Sequence, residues 1–146
     1  MLLAAFAALV VVAACSANLM KVEDIPVPPT ARKGAIEGSY EVKLRTDASQ
    51  VLKELKEKYG KAETQIYFLD SQADWASVTG FYDERLGPLD LKRDASMPQE
   101  RAGFKMAVWS RDGWFDKKAV AAALIEAGST PDGRPQKFLA VFRAGD

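Results

Sequence analysis

From Gly38 onward, apolar and polar side chains fall into short regular patterns. Tyr40, Val42 and Leu44 alternate with Glu41, Lys43 and Arg45, the period of a strand with one solvated face. Asp47 with Gln50 then reads as an N-cap and capping box. Val51, Leu52, Leu55 and Tyr59 follow at helical spacing, with Glu54 and Lys58 placed to pair on the outer face and Gly60 where a helix C-cap belongs. Ile66 to Leu69 is a short apolar run that predicts the next strand. Ser71 with Asp74 opens a second helix whose stripe is Trp75, Val78, Tyr82 and Leu86, stopped by Gly87 and Pro88.

The second half is richer in strands. Leu89 and Leu91 alternate with charges, as in an edge strand, and residues 94–102 read as a loop. Phe104, Met106 and Val108 form the core face of a strand that carries Trp109 on its other face. Residues 116–127 admit two readings. The alanines at 119 and 121–123 favour a helix on propensity. Alternatively Arg111-Asp112-Gly113 turns a hairpin, and Ala119 to Glu126 returns as a strand beside Phe104 to Ser110. Pro131-Asp132-Gly133 centres a turn-rich loop, and Phe138 to Phe142, apolar on both faces, predicts a central strand. The order predicts an α+β fold, a mainly antiparallel sheet with two or three helices packed on one face. It occupies residues 36–146 as a single globular domain.

The N-terminus follows a different rule. Residues 2–14, LLAAFAALVVVAA, contain no charge and no polar side chain. A membrane-spanning helix needs about 17–25 such residues, whereas the apolar core of a secretory signal peptide needs roughly 7–15 ending in small side chains. The run closes on Val12-Ala13-Ala14-Cys15, followed by Ser16. These residues resemble the lipobox of bacterial lipoproteins, an aliphatic residue and two small ones before a cysteine. Val12 stands where that family prefers Leu, and only Met1 precedes Leu2 where the family carries Lys or Arg. The resemblance covers the first sixteen residues and implies cleavage of residues 1–14, lipidation of Cys15 and anchorage in the cell envelope. Ser16 in place of Asp implies the outer membrane, facing the periplasm, in a Gram-negative host. An ordinary cleavable signal ending near Ala14 would instead leave Cys15 a free thiol. Residues 15–35, with Pro26, Pro28 and Pro29, read as an extended tether of about 3 Å per residue.

Composition narrows the chemistry. The chain has no histidine, which removes the commonest general base and metal ligand. A single cysteine precludes an internal disulfide or a thiolate metal site. Lys plus Arg equals Asp plus Glu at 20 each, so no net field favours nucleic acid. No nucleophile elbow, phosphate loop or calcium loop occurs, and nothing calls for a cofactor or a metal. Three carboxylate pairs are left for acid–base work: Asp83 with Glu84, Asp70 with Asp74, and Asp112 with Asp116. Capping and solvation account for such pairs more simply. The turn Trp109-Ser110-Arg111-Asp112-Gly113-Trp114-Phe115 gathers aromatics around an arginine, and Arg111, Trp114 and Phe115 form a candidate recognition patch. The expectation is a non-catalytic, membrane-tethered binding domain with an envelope protein or cell-wall partner. A carboxylate-dependent hydrolase and a structural spacer are the alternatives.

Overall fold

A computed structural model describes residues 19, 21–36, 40–113 and 117–146. After a 3-10 turn at Val22–Asp24, the elements are β1 (Ala31–Arg32), α1 (Tyr40–Tyr59), β2 (Ala62–Leu69) and α2 (Trp75–Leu86). A second 3-10 turn, Gly87–Leu89, leads to β3 (Lys92–Arg93), β4 (Glu100–Arg101), β5 (Phe104–Asp112), β6 (Lys117–Ser129) and β7 (Pro135–Gly145). The strands form one sheet in the order β1-β2-β7-β6-β5-β3, with β4 also paired to β5. Every pairing is antiparallel. The expected α+β class with a mainly antiparallel sheet is therefore present, and β7 is central, as its two apolar faces imply.

The helices divide between the faces rather than sharing one. α1 covers the face carrying Phe104, Met106, Ala121, Ile125, Phe138 and Phe142. α2 covers the other, with Tyr67, Trp109, Val120, Leu124, Leu139 and Val141. Strands β5, β6 and β7 are apolar at successive positions, so both alternating sets of side chains must be removed from water. One helical layer can shield only one set.

Three local expectations change in α1. Residues 40–44 are its first turn and not a strand. Tyr40, Leu44, Ala48, Val51, Leu55 and Tyr59 make one continuous i, i+3/i+4 stripe packed on the sheet, and Val42, which the alternating pattern needs inside, is 74% exposed. Asp47 is consequently mid-helix, held by Lys43 Nζ at 2.7 Å, which also donates to the Gly103 carbonyl. Glu54 and Lys58 do not pair with each other. Glu54 accepts from Arg101 on β4 at 2.6 Å and Lys58 donates at 2.5 Å to Asp94, in the segment read as a loop but carrying that short strand. Gly60 ends the helix with φ 95°, its N–H bonded to the Lys56 carbonyl.

Residues 117–129 are the strand alternative. β6 pairs with β5 over nine positions, Phe104↔Ile125 to Asp112↔Lys117, and with β7 on its other side. A bulge between Glu126 and Ser129 contains Gly128 at φ 68°, where a Cβ would collide with the Tyr40 ring. The second helix starts at Asp74 rather than Ser71. The Asp74 carboxylate accepts from Ser77 N at 2.8 Å, and Ser77 Oγ accepts from Asp74 N at 3.2 Å.

The residues expected to be a tether belong in part to the fold. Leu19, Val22 and Ile25 are buried on the α2 face, and Ala31 and Arg32 add β1 to the sheet edge. The segment lies along the protein because Leu19, Val22 and Ile25, spaced three residues apart around the 3-10 turn, bury their side chains on the sheet. The folded unit thus includes Leu19 and does not begin at residue 36.

Tyr82 is fully buried beside Trp109 and Phe81, and among the described residues its hydroxyl has no hydrogen-bond partner. Burial pushes the phenol up, with the neighbouring Tyr67 adding to it. An unmatched buried hydroxyl costs its desolvation with no return. Tyr82→Phe is therefore expected to leave stability unchanged or raise it by about 1 kcal/mol. A clear loss in chemical denaturation would contradict that assignment.

Candidate functional site

Asp74 caps α2 and thereby fixes where Trp75 emerges, at the first helical position and only half-buried. One side of Trp75 packs on the core, and its indole Nε1 donates to Gln99 Oε1 at 3.2 Å. From there an open groove of about 470 Å³ crosses the end of the sheet, past Phe104 and Leu124, to the exposed Glu126 and Glu100 and to Lys105 and Lys137. Cross-strand register sets Glu126 against Lys137, whose Nζ donates to the Ala73 carbonyl at 2.6 Å. Lys105 lies 3.6 Å from Glu100. The groove thus joins an aromatic wall to charges of both signs. Such a lining can stack against a ring or apolar group while hydrogen-bonding polar ones. Hydrogen bonds from the Ser77 backbone and side chain hold the Asp74 carboxyl below the usual carboxylate range, so it serves the helix as a fixed anion.

Among the described residues, the carboxylates singled out in the sequence do not assemble into one site. Asp70 accepts from Gln72 N in a turn, and Asp74 is the cap. Asp83 accepts from Arg93 Nε and Nη2 at 3.0 and 3.3 Å and from Trp109 Nε1 at 2.7 Å. The Arg93 guanidinium also lies 5.1 Å from the Trp109 ring centroid. Trp109 is therefore a core residue whose polar edge is satisfied, while Glu84 is exposed without joining Asp83. Asp112 is exposed opposite Lys117, and Asp116 lies outside the described residues.

Of the candidate recognition patch, Arg111 is half-buried near the end of β5, and its Nη1 donates to the Leu89 carbonyl at 3.1 Å. Trp114 and Phe115 lie outside the described residues, as does Cys15. The stripe in the sequence assigned Trp75 to the core, and half of it does go there. What the stripe missed is that a residue beside the cap sits at the helix end. No local signal connects it to Glu126 or Lys137.

A second polar cluster clamps the loop of residues 94–102 to α1. Asp94 accepts from Lys58 Nζ and Tyr59 Oη, each at 2.5 Å, and from Ser96 Oγ at 2.6 Å and Ser96 N at 3.0 Å. Burial alone would push the Asp94 carboxyl up. The hydrogen bonds from Lys58, Ser96 and Tyr59 outweigh it and hold the carboxyl far below the usual range. A depressed folded-state value stabilises the protein above the unfolded-state value near 3.9 and ceases to do so as pH falls through the folded one. Asp94→Asn is therefore expected to be less stable than wild type at pH 7, with the gap narrowing progressively as the pH falls below about 4. Urea denaturation across that range measures it, and a gap independent of pH would exclude the charged clamp.

No family model matches this chain, and neither a curated protein nor a solved structure is significantly similar to it.

Proposed function

We propose that this chain is a lipoprotein of the bacterial cell envelope, anchored through Cys15, whose domain binds an envelope protein or cell-wall component without transforming it. The observation that carries the binding role is the groove beside Trp75, which offers an aromatic face and charges of both signs to one ligand. Support for binding over hydrolysis comes from Asp70, Asp74 and Asp83, whose carboxylates already serve turns, a cap and an ion pair. Val12-Ala13-Ala14-Cys15 supports the anchor, and Ser16 supports the outer membrane in a Gram-negative host. The patch of Arg111, Trp114 and Phe115 is retained as a proposed contact.

The test is site-specific photocrosslinking in intact envelopes. A photoreactive residue at Glu126 is expected to capture a discrete partner that the same residue at Ser49, exposed on α1, does not capture. Trp75→Ala is expected to reduce that product severalfold. Equal or absent capture at both positions would leave the spacer role and remove the groove from the account. Mass spectrometry of the mature N-terminus tests the anchor, and an unmodified Cys15 would end it.

A further inference from the structure

The position of Leu19 decides which way an anchored domain stands. Leu19 is buried, and its carbonyl accepts from Arg143 Nε at 2.9 Å. Arg143 is itself buried near the end of β7, and its remaining nitrogens donate to the Gly145 and Asp146 carbonyls at 2.9 and 2.8 Å. The Arg143 contact fastens Leu19 to one pole of the sheet, where β7 ends and β2 and β6 begin (Ala62↔Ala144, Lys118↔Gly145). Four chain steps separate Cys15 from Leu19. Fully extended they reach about 14 Å. A lipid on Cys15 therefore keeps this pole against the bilayer surface.

The same pole is where lysines gather. Lys56 and Lys61 are exposed and line an open recess of about 390 Å³ beside Arg143. The Lys61 carbonyl accepts from Gly145 N at 2.8 Å, and Lys118 pairs with Gly145 from the other side, so these two lysines lie about 10 Å apart across β7. The exposed Lys117 precedes Lys118, and its carbonyl accepts from Asp146 N. Carboxylates are interleaved with these lysines. Glu63 accepts from Val22 N at 3.1 Å, Asp112 faces Lys117 in register, and Asp146 is exposed. Four lysines and the buried Arg143 therefore stand together at this end of the sheet.

We propose that this pole docks on the phosphate headgroups of the bilayer that holds the anchor, with Lys56, Lys61, Lys117 and Lys118 as the contacts. The proposal rests on lipidation of Cys15. Lysines close to a lipid surface are drawn to anionic headgroups within a Debye length, and the short link to Leu19 makes this pole the part of the domain nearest that surface. The geometry also orients the groove. Lys118 and Glu126 are eight positions apart on β6, roughly 26 Å along the strand. The Trp75 groove then faces away from the membrane, toward soluble or cell-wall partners.

The experiment uses the full mature chain purified from membranes and reconstituted in vesicles containing phosphatidylglycerol. Amine labelling of each lysine is read by mass spectrometry, in vesicles and in neutral detergent. Lys61 and Lys117 are expected to react severalfold more slowly in vesicles, while Lys105 at the far pole is unchanged, and the protection is expected to fade at high salt. The double variant K61E/K117E, checked for folding by circular dichroism, is expected to remain in the membrane fraction but lose protection at Lys56. A lipidated, membrane-bound protein whose Lys61 and Lys117 label as fast in vesicles as in detergent overturns the docking and leaves the anchor standing. An unmodified Cys15 in a soluble chain overturns both. Protection that appears only when envelope proteins are added assigns the pole to a protein partner instead.

Discussion

Phe138→Ala is expected to destabilise the protein by about 3–5 kcal/mol, lowering Tm by on the order of 10 °C or more. Phe138 is fully buried on the α1 face of the central strand. Its ring centroid lies 5.6 Å from Tyr40 and 5.2 Å from Phe68, both tilted, and Ile125 is its cross-strand neighbour on β6. Truncation removes apolar contact with α1, β2 and β6 together. The cavity cannot collapse easily, because the backbone on both sides is hydrogen-bonded into the sheet. A domain of this size has roughly 5–15 kcal/mol in all, so this single change approaches the limit of what the fold tolerates. Differential scanning calorimetry measures it. A loss under 1 kcal/mol would mean that the α1 face is loosely packed.

The second large effect runs the opposite way in volume. Ala121→Leu is expected to cost about 1–3 kcal/mol or more through overpacking. Ala119, Ala121 and Ala123 form a row of small, fully buried side chains on β6 beneath α1, facing Leu44, Val51 and Leu55. The small row lets the helix seat close to the middle of the sheet, and a leucine there must displace either α1 or a neighbouring strand. The effect should depend on the helix. Leu55→Ala, about 2–5 kcal/mol destabilising alone, is expected to combine with Ala121→Leu less than additively, since one change vacates space that the other fills. Strict additivity in a double-mutant cycle would place Ala121 away from α1.

The same alanines explain where reading along the chain stopped. Alanine favours a helix over other residues by tenths of a kcal/mol per residue, and locally nothing opposes it in residues 119–123. The strand forms because β5 and β7 complete its hydrogen bonds and the two helices bury both its faces. Neither contribution is visible within a window of β6 itself. Residues 40–44 show the reverse case: the alternation of Tyr40, Val42 and Leu44 fits a strand, but Tyr40 and Leu44 also fit one turn of helix. Only the packing surface selects between them, by leaving Val42 in water.

The candidate site divides along the same line. The helix and its Trp75 stripe were legible, but its start was read at Ser71, three residues before the Asp74 cap that sets where Trp75 emerges. Glu100, Lys105, Glu126 and Lys137 come from β4, β5, β6 and β7, and their convergence on Trp75 is a product of strand register. The charged partners were equally nonlocal. Glu54 and Lys58 satisfy the helical i, i+4 spacing, yet Arg101 and Asp94 offer shorter, less exposed partners across the loop, which an exposed helix pair worth a few tenths of a kcal/mol does not outweigh.

By itself, the sequence determined the α+β class, the helix bearing Trp75, Val78, Tyr82 and Leu86, the two-faced strand at Phe104 to Trp109, the turn at Pro131-Asp132-Gly133 and the central place of Phe138 to Phe142. These depend on side-chain period and turn chemistry, which act over a few residues. Tertiary structure alone decided that the helices take opposite faces, that residues 117–129 are a strand, that Leu19, Val22 and Ile25 join the core, and that the groove and the lysine-rich pole stand at opposite ends of the sheet. Periodicity states which residues share a face. What covers that face depends on partners far away in the chain, and the free energy of burial is settled only when they meet.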